Sequence, residues 1–411
     1  MAQLNITLNQ EEILQLLKNN TGDVFKNLLQ ESLNSVLKAE SSSQLHAEPY
    51  ERTEDRTDSR NGYRERQLNT RIGTITLRVP RHRDQPFKSM VFENYSRSEA
   101  ALVASLAEMY TNGVSTRKVG RVVETLCGTT ISKSAVSDLC KDLDEAVESF
   151  RERRLDEFYP FVTIDATYFK VIHDRRTVSR ALMIAYAVNQ EGIREIIGFQ
   201  CYEKESKETW KAFLNELRDR GLRKVGMFIS DSHEGILHAI AKVYPDSPWQ
   251  RCQFHFTRNI LDKMPKKYIE GMKTELQEMF NSKTLREAQE KRDSIIEDYR
   301  EVSESAVECL DNGFDDAMTV MVLPEKIRKQ FRTSNHIERV NKELKRRSKV
   351  VGRFPTEASV MRLMGSVLIE LNDALMEKAS KIIYRPGFEE LEKCRKVLVL
   401  RAREQHQMLA A

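Results

Sequence analysis

The sequence predicts an α/β core interrupted by an all-helical insertion and preceded by a mostly helical N-terminal region carrying a short β-hairpin. Three observations predict it. Apolar residues recur at three- and four-residue steps through the first forty residues and again from Ser96 to about Arg154, which is the helical period. Short apolar or β-branched runs cluster between Tyr159 and Phe254. Charged, strand-poor helical sequence then fills Thr257 to about Lys329.

Taken in order, Ile13, Leu14, Leu16 and Leu17, followed by Val24, Phe25, Leu28, Leu29, Leu33 and Leu37, define an N-terminal helical segment, residues 1–50. Ser41-Ser42-Ser43 and the polar run Glu48–Asn61 read as a linker or mobile arm. It opens a basic arm and hairpin region at 51–95, where Leu68–Pro80 is rich in β-branched residues and Gly73 marks a turn. Residues 96–154 hold three short helices with breaks at Asn112-Gly113 and Gly128, and Ser132 is a good N-cap. That pattern suits a helix-turn-helix DNA-binding domain, and equally an ordinary three-helix bundle.

From Tyr159 the texture changes. Phe161–Ile164, Ala181–Val188 and Ile193–Cys201 read as strands, Thr209–Arg220 as a helix and Lys224–Ile229 as a strand. His233–Val243 reads as a helix and Trp249–Phe254 as a further strand. Three consecutive strands, then helix, strand and helix, describe the opening of an RNase-H-like fold whose first strand pairs are antiparallel, over residues 157–255. The helical insertion spans 256–328. Thr333–Arg347 and Glu357–Lys378 belong to a C-terminal helical part of the core, 329–411.

Composition excludes several classes. Charged residues make up 31% of the chain, and mean hydropathy is −0.55. The longest apolar stretches, such as Ala181–Val188, fall far short of the roughly 18–20 residues of a spanning helix. Six scattered cysteines without a CxxC pair do not form a disulfide framework, and Met1–Asn20 lacks the basic start and apolar core of a signal peptide. The expectation is a cytoplasmic protein. Net charge is only +4, but its distribution is uneven: Glu325–Arg353 holds eleven Lys and Arg against three Glu, a local excess of +8.

Chemistry-bearing residues sit at three places. Asp165 follows the strand Phe161–Ile164, and Asp231 lies just beyond Lys224–Ile229. Carboxylates at strand ends are held at the sheet edge where open sheets build sites, and divalent cations relieve the crowding of two of them. Either Asp alone is also an ordinary turn or cap residue. In Arg332–Arg347, helical spacing puts Ser334, Glu338, Asn341, Lys342 and Lys345 on one face, while Arg339, Glu343, Arg346 and Arg347 project elsewhere. A basic helix is usually a solvated face, but one carrying Glu338, Asn335 and Asn341 looks like phosphate contact beside a metal ligand. Arginines at 60, 64, 66, 71, 78, 81 and 83 crowd the hairpin region, and Arg117 and Lys118 open the middle helix of the 96–154 module.

These residues carry a resemblance. Arg60-Asn61-Gly62-Tyr63, the hairpin after it, Asp165-Ala166-Thr167-Tyr168, Ser230-Asp231-Ser232-His233, Cys252-Gln253-Phe254-His255 and Ser334-Asn335-x-Ile337-Glu338-Arg339-x-Asn341 occur in this order. Over nearly its whole length the chain resembles Mutator-type bacterial insertion-sequence transposases, a branch of the DDE transposase and integrase superfamily. The resemblance implies a catalytic triad of Asp165, Asp231 and Glu338 holding two Mg²⁺ or Mn²⁺ ions about 3.5–4 Å apart. Water would attack in strand cleavage and the freed 3′-hydroxyl in strand transfer. Lys345, seven residues after Glu338, would contact a transposon-end phosphate, with Asn335, Arg339, Asn341 and Arg346 beside it. Arg60, Arg71, Arg117 and Lys118 would serve the terminal inverted repeats. It also implies a homodimer on double-stranded DNA, engaging element ends and target, and a nucleoid-associated location. Glu343 competes for the third ligand, but its face differs.

Cys252 and His255 offer two soft ligands where a structural zinc takes four, and no second Cys/His pair follows nearby, so packing or DNA positioning is expected rather than zinc. Trp210 is expected in the core, while Trp210 and Trp249 both have the chemistry to stack on a frayed end base. Two other classes share parts of this pattern. A domesticated, non-catalytic DNA-binding protein would keep the fold but need none of the three acids. A nuclease of RNase-H-like fold would keep the acids but need neither the N-terminal arm nor the helix-turn-helix.

Overall fold

The computed structural model describes residues 21–51, 56–70, 73–89, 142–378 and 381–410. The chain divides into two compact units, Met1–Asp142 and Leu143–Ala411. Most of the expected helix-turn-helix module lies outside the described residues, as do Met1–Asn20.

In the first unit, α1 (Thr21–Leu45) packs on an antiparallel hairpin of β1 (Arg60–Thr70) and β2 (Gly73–His82), with Thr70 opposite Gly73. Ile75, Leu77 and Val79 alternate along β2 and bury against Leu37, as the two-residue period of a strand requires. On the free edge of β2, the Gln30 side chain accepts from the Thr76 N–H at 3.2 Å and Asn34 accepts from the Arg78 N–H at 2.8 Å. Helix amides thus satisfy backbone groups that would otherwise template pairing with another chain. The expected linker at Ser41–Ser43 is instead the last turn of α1, with Ser41 and Ser42 buried. The described part of Glu48–Asn61 is also tied down. The Thr57 N–H donates to Leu45 O, and Asp58 accepts from the backbone of Ser59, Asp84 and Gln85. These bonds, Gln85 foremost, hold the Asp58 carboxyl down to about 2.

The second unit opens with α2 (Asp142–Glu152) and is built on a five-stranded sheet of order β5-β4-β3-β6-β7. Its strands are β3 (Phe158–His173), β4 (Arg176–Val188), β5 (Arg194–Tyr202), β6 (Lys224–Ser230) and β7 (Trp249–Arg251). The β3–β4 and β4–β5 pairs are antiparallel, as expected, and β3–β6 and β6–β7 are parallel. The first strands run several residues beyond the sequence reading, because β3 and β4 are one long hairpin paired from Phe161–Val188 to His173–Arg176. Polar positions along its outer half hid the continuation. The expected strand Trp249–Phe254 ends at Arg251; Cys252 takes the N-cap position and the chain enters a helix.

Both faces of the sheet are covered. On one side α3 (Lys207–Asp219) and α4 (Glu234–Val243) contribute Trp210, Phe213, Leu217, Ile236 and Ile240 against Val162, Ile164, Met183 and Phe228. Ser206 starts α3 with a reciprocal capping box to Thr209. The opposite face, carrying Phe161, Met227 and Ile229, packs on α9 (Glu325–Phe331) and on Leu391 and Leu398 of α12 (Arg385–Ala410). Between β7 and α9, α5 (Gln253–Leu261), α6 (Ile269–Phe280), α7 (Leu285–Tyr299) and α8 (Glu304–Ala317) bury a core of their own around Phe256, Leu276, Leu310 and Phe314. The helix α10 (Asn335–Val351) ends at Gly352, whose φ of 70° suits glycine. The following Phe354 bonds back to β3 through Lys170 and Ile172, and α11 (Glu357–Lys378) contacts β5.

Candidate active site

Strand register brings the two aspartates together. In the parallel β3–β6 pair the last matched residues are Thr163 and Ile229. Asp165 and Asp231 each lie two positions further along, and two is the period of one sheet face, the face of Phe161, Met227 and Ile229. Asp165 is inside β3, opposite Ile184 of β4, rather than after the strand's end. Its backbone is therefore held by the hairpin, while β6 stops and leaves the carboxylate edge open.

Asp165 is partly buried, and its carboxyl is pushed up to about 7, by burial first and then by the neighbouring charge of Asp231. Its Oδ1 accepts from the Ala166 N–H at 2.8 Å and its Oδ2 from the Asn341 side-chain amide at 2.7 Å. The end of β6 is pinned by Ser230, which is fully buried. The Trp249 indole donates to Ser230 Oγ at 2.8 Å, and Ser230 Oγ donates to the Asp231 carbonyl at 2.8 Å. Trp249 and Trp210 are both buried, so neither is placed to stack on a base.

Glu338 arrives from the first turn of α10. Ser334 Oγ donates to Glu338 Oε1 at 3.1 Å, and the same oxygen lies 3.8 Å from His255 Nε2. Cys252 Sγ is fully buried and accepts from the Ser334 backbone N–H at 3.3 Å, and it lies 3.2 Å from Ser334 Oγ, whose single proton it shares with Glu338. The Cys252 N–H donates to Ser230 O at 2.8 Å, one residue before Asp231. Burial works against the Cys252 thiolate, but the His255 and Ser334 contacts outweigh it and hold the thiol below its ordinary range. The Cys252 sulfur in turn lifts His255 to about 9, against the effect of burial, with Glu338 and Asp231 adding to the rise. Among the described residues, Cys252, His255 and Glu338 form a set whose ligand atoms lie within 4.8 Å of one another. The three acids do not form an equally tight set.

The buried face of α10 differs from the expected one. Ser334, Ile337, Asn341, Leu344 and Arg347 are buried, whereas Lys342 and Lys345 are exposed. Asn341, expected to contact DNA, is instead committed to Asp165. Arg346 is exposed but bonded twice to Glu343, at 2.6 and 2.7 Å. Arg347, expected to project away, is buried and bonds Glu343 and Glu370. These arginine contacts, Arg346 foremost, hold Glu343 down to about 2, so that carboxylate is occupied elsewhere. Asn335, Arg339 and Lys345 are exposed along the helix.

Arg60 of the hairpin, expected to contact DNA, donates inward to Ser42 Oγ at 2.9 Å and Ala47 O at 2.7 Å. Arg71, Arg117 and Lys118 lie outside the described residues. One acid went unread in the sequence. Glu205, in the loop before α3, adds to the rise at Asp165 and raises the nearby Tyr168 hydroxyl after burial does. Nothing in its local spacing distinguishes it from a surface glutamate.

The sequence model of the family described as "Transposase, Mutator family" matches residues 1–378 of this chain. The transposase for insertion sequence element IS256 in transposon Tn4001 of Staphylococcus aureus is 40% identical over 387 residues, 93% of this chain and 99% of the relative. The transposase for insertion sequence element IS1081 of Mycobacterium tuberculosis is 37% identical over 357 residues, 86% of each chain. That for IS905 of Lactococcus lactis is 28% identical over 365 residues, 88% of this chain and 93% of the relative.

Proposed function

The chain belongs to the Mutator family of transposases, and from that premise we propose that it binds the terminal inverted repeats of an insertion sequence and cleaves and joins DNA at a DDE-type centre of Asp165, Asp231 and Glu338. The observation that carries the reading is the shared register of Asp165 and Asp231 beyond the Thr163–Ile229 pair, with α10 reaching Asp165 through Asn341. A strand order of three antiparallel strands followed by two parallel ones supports an RNase-H-like core, interrupted by the helical insertion.

The donor set fits hard divalent cations. A partly buried carboxylate raised to about 7 beside a second carboxylate is the crowding that such ions relieve. Asp165, Asp231 and Glu338 would hold two ions, Mg²⁺ or Mn²⁺, which when bound supply activation of the attacking oxygen and charge neutralisation at the leaving one. The chain's own residues do the positioning. Asn341 and the Ala166 N–H fix both oxygens of Asp165. The Trp249–Ser230 bond fixes the strand end that bears Asp231. Lys345, Asn335 and Arg339 present exposed donors along one helix to the phosphates flanking the scissile bond. Two element ends call for two active sites, and so for a homodimer on DNA. The hairpin cations that remain exposed, Arg64, Arg78, Arg81 and Arg83, suit phosphate contact in the N-terminal unit.

The test is to incubate the full chain with end-labelled inverted-repeat DNA and Mg²⁺ beside Asp165→Ala. Nicking at the element end and strand-transfer products from wild type alone support the reading. Specific binding without any product points to a non-catalytic DNA-binding protein, and cleavage regardless of the repeat to a general nuclease.

A further inference from the structure

The function above leaves Cys252 and His255 without a role, yet both converge on Glu338. From the geometry we propose that Cys252, His255 and Glu338 form a binding site for a zinc-class divalent ion, with a fourth coordination position open.

Sequence counting misses this site because its third ligand comes from a helix 83 residues downstream of His255. Cys252 caps α5, His255 sits in that helix's first turn, and Glu338 sits in the first turn of α10. Their ligand atoms already lie within 4.8 Å of one another. A thiolate, an imidazole and a carboxylate on one centre suit zinc and its borderline-soft neighbours, whereas the all-carboxylate edge at Asp165 and Asp231 suits Mg²⁺ and Mn²⁺. Three protein ligands with one open position is a common zinc arrangement.

The surroundings are those of a metal-binding thiolate. Cys252 Sγ is fully buried and receives a hydrogen bond from the Ser334 N–H, and the Ser334 Oγ is within reach of both it and Glu338, so one residue orients two of the three ligands. His255 Nδ1 is buried and finds no hydrogen-bond partner among the described residues. No other described cysteine, Cys201, Cys309 or Cys394, belongs to such a set. An ion here holds Glu338 on the cysteine side and withdraws it from the aspartate pair, a consequence that rests on the proposed function.

Cobalt(II) added to the untagged full-length chain reports the site directly, because a Co²⁺–thiolate bond gives a near-ultraviolet charge-transfer band. The band is expected to saturate at one Co²⁺ per chain and to vanish when Zn²⁺ is added. It is expected to be absent in Cys252→Ser, and Glu338→Gln should weaken Co²⁺ binding about 10-fold or more. Far-UV circular dichroism checks that Cys252→Ser is folded; if it is not, His255→Asn and Glu338→Gln carry the test. No band in wild type, or a band unchanged in Cys252→Ser, overturns the site; an unchanged affinity in Glu338→Gln overturns the three-residue set. Asp165→Asn keeps the band while abolishing DNA cleavage. If wild type shows the band but never cleaves DNA, the transposase mechanism fails and the ion site stands.

Discussion

The Asn341 amide donates to Asp165 Oδ2 at 2.7 Å and so joins the basic helix α10 to the strand β3 inside the site. The residue is buried, and its commitment is to a carboxylate rather than to DNA. Asn341→Ala should lower end cleavage about 10–100-fold, the usual effect of removing a partner that orients a metal ligand. Affinity for the inverted repeat should be unchanged. A gel-shift titration run beside the nicking assay separates the two effects, and a variant that loses binding and cleavage in parallel would restore Asn341 to the DNA surface.

Burial and Asp231 raise the Asp165 carboxyl from an ordinary 3.8 to about 7. The folded state therefore holds this proton more tightly than the unfolded chain. The stabilisation is fully present below pH 3.8 and is lost as pH rises through about 7. Asp165→Asn should stabilise the metal-free protein at pH 8 by ~1–3 kcal/mol, with the gain vanishing towards pH 4. Urea melts of both proteins across that range measure it, and an equal or lower stability of the variant at pH 8 would contradict the crowding described at the site.

Arg347 is buried between Glu343 and Glu370, at 2.9 and 3.0 Å, and ties α10 to α11. Truncation removes a buried side chain and its bonds, while Glu343 keeps Arg346 and Glu370 is half exposed, so Arg347→Ala should cost about 1–2 kcal/mol. Lysine is not an adequate substitute, because its single ammonium cannot span both acids in the guanidinium geometry. Chemical denaturation of the two variants should rank wild type above Lys and Lys above Ala; a ranking that puts Ala level with wild type would show that the network carries no stability.

Neighbouring cations on α10 should behave differently. Lys345 is exposed, whereas Arg346 is neutralised locally by Glu343. Lys345→Ala should weaken end binding and reduce the slope of log affinity against log salt by about 0.9, the effect of one lost phosphate contact. Arg346→Ala should change that slope less. Salt titrations of DNA binding read both, and a larger effect at Arg346 would mean that DNA displaces Glu343 from it.

Much of the core was legible because its signals are local. The run Phe161–Ile164 and the run Lys224–Ile229 each announce a buried strand with an Asp just beyond it; that the two carboxylates share a face follows only from the Thr163–Ile229 register. What was not legible depends on packing between distant segments. The outer half of β3 carries Lys170 and His173 among its apolar residues, so its alternation fades although the hairpin with β4 continues. Ser41-Ser42-Ser43 resembles a linker by composition, but Ser41 shares a hydrogen bond with His82 and Ser42 accepts one from Arg60, which lets the helix run on. Helical spacing put Asn341 and Lys345 on one face; the sheet beneath α10 buries the first and leaves the second in solvent. Cys252 and His255 offer only two ligands in the sequence, and folding brings Glu338 to them as a third.

The central claim, that Asp165, Asp231 and Glu338 act as metal-holding carboxylates, is tested most directly by metal rescue of Asp231→Cys on pre-nicked and intact inverted-repeat DNA. A thiolate binds Mg²⁺ poorly and the softer Mn²⁺ better. The variant should be inactive in Mg²⁺ and partly restored in Mn²⁺, while Asp231→Ala stays inactive in both. Wild-type cleavage by either variant in Mg²⁺ would contradict the account.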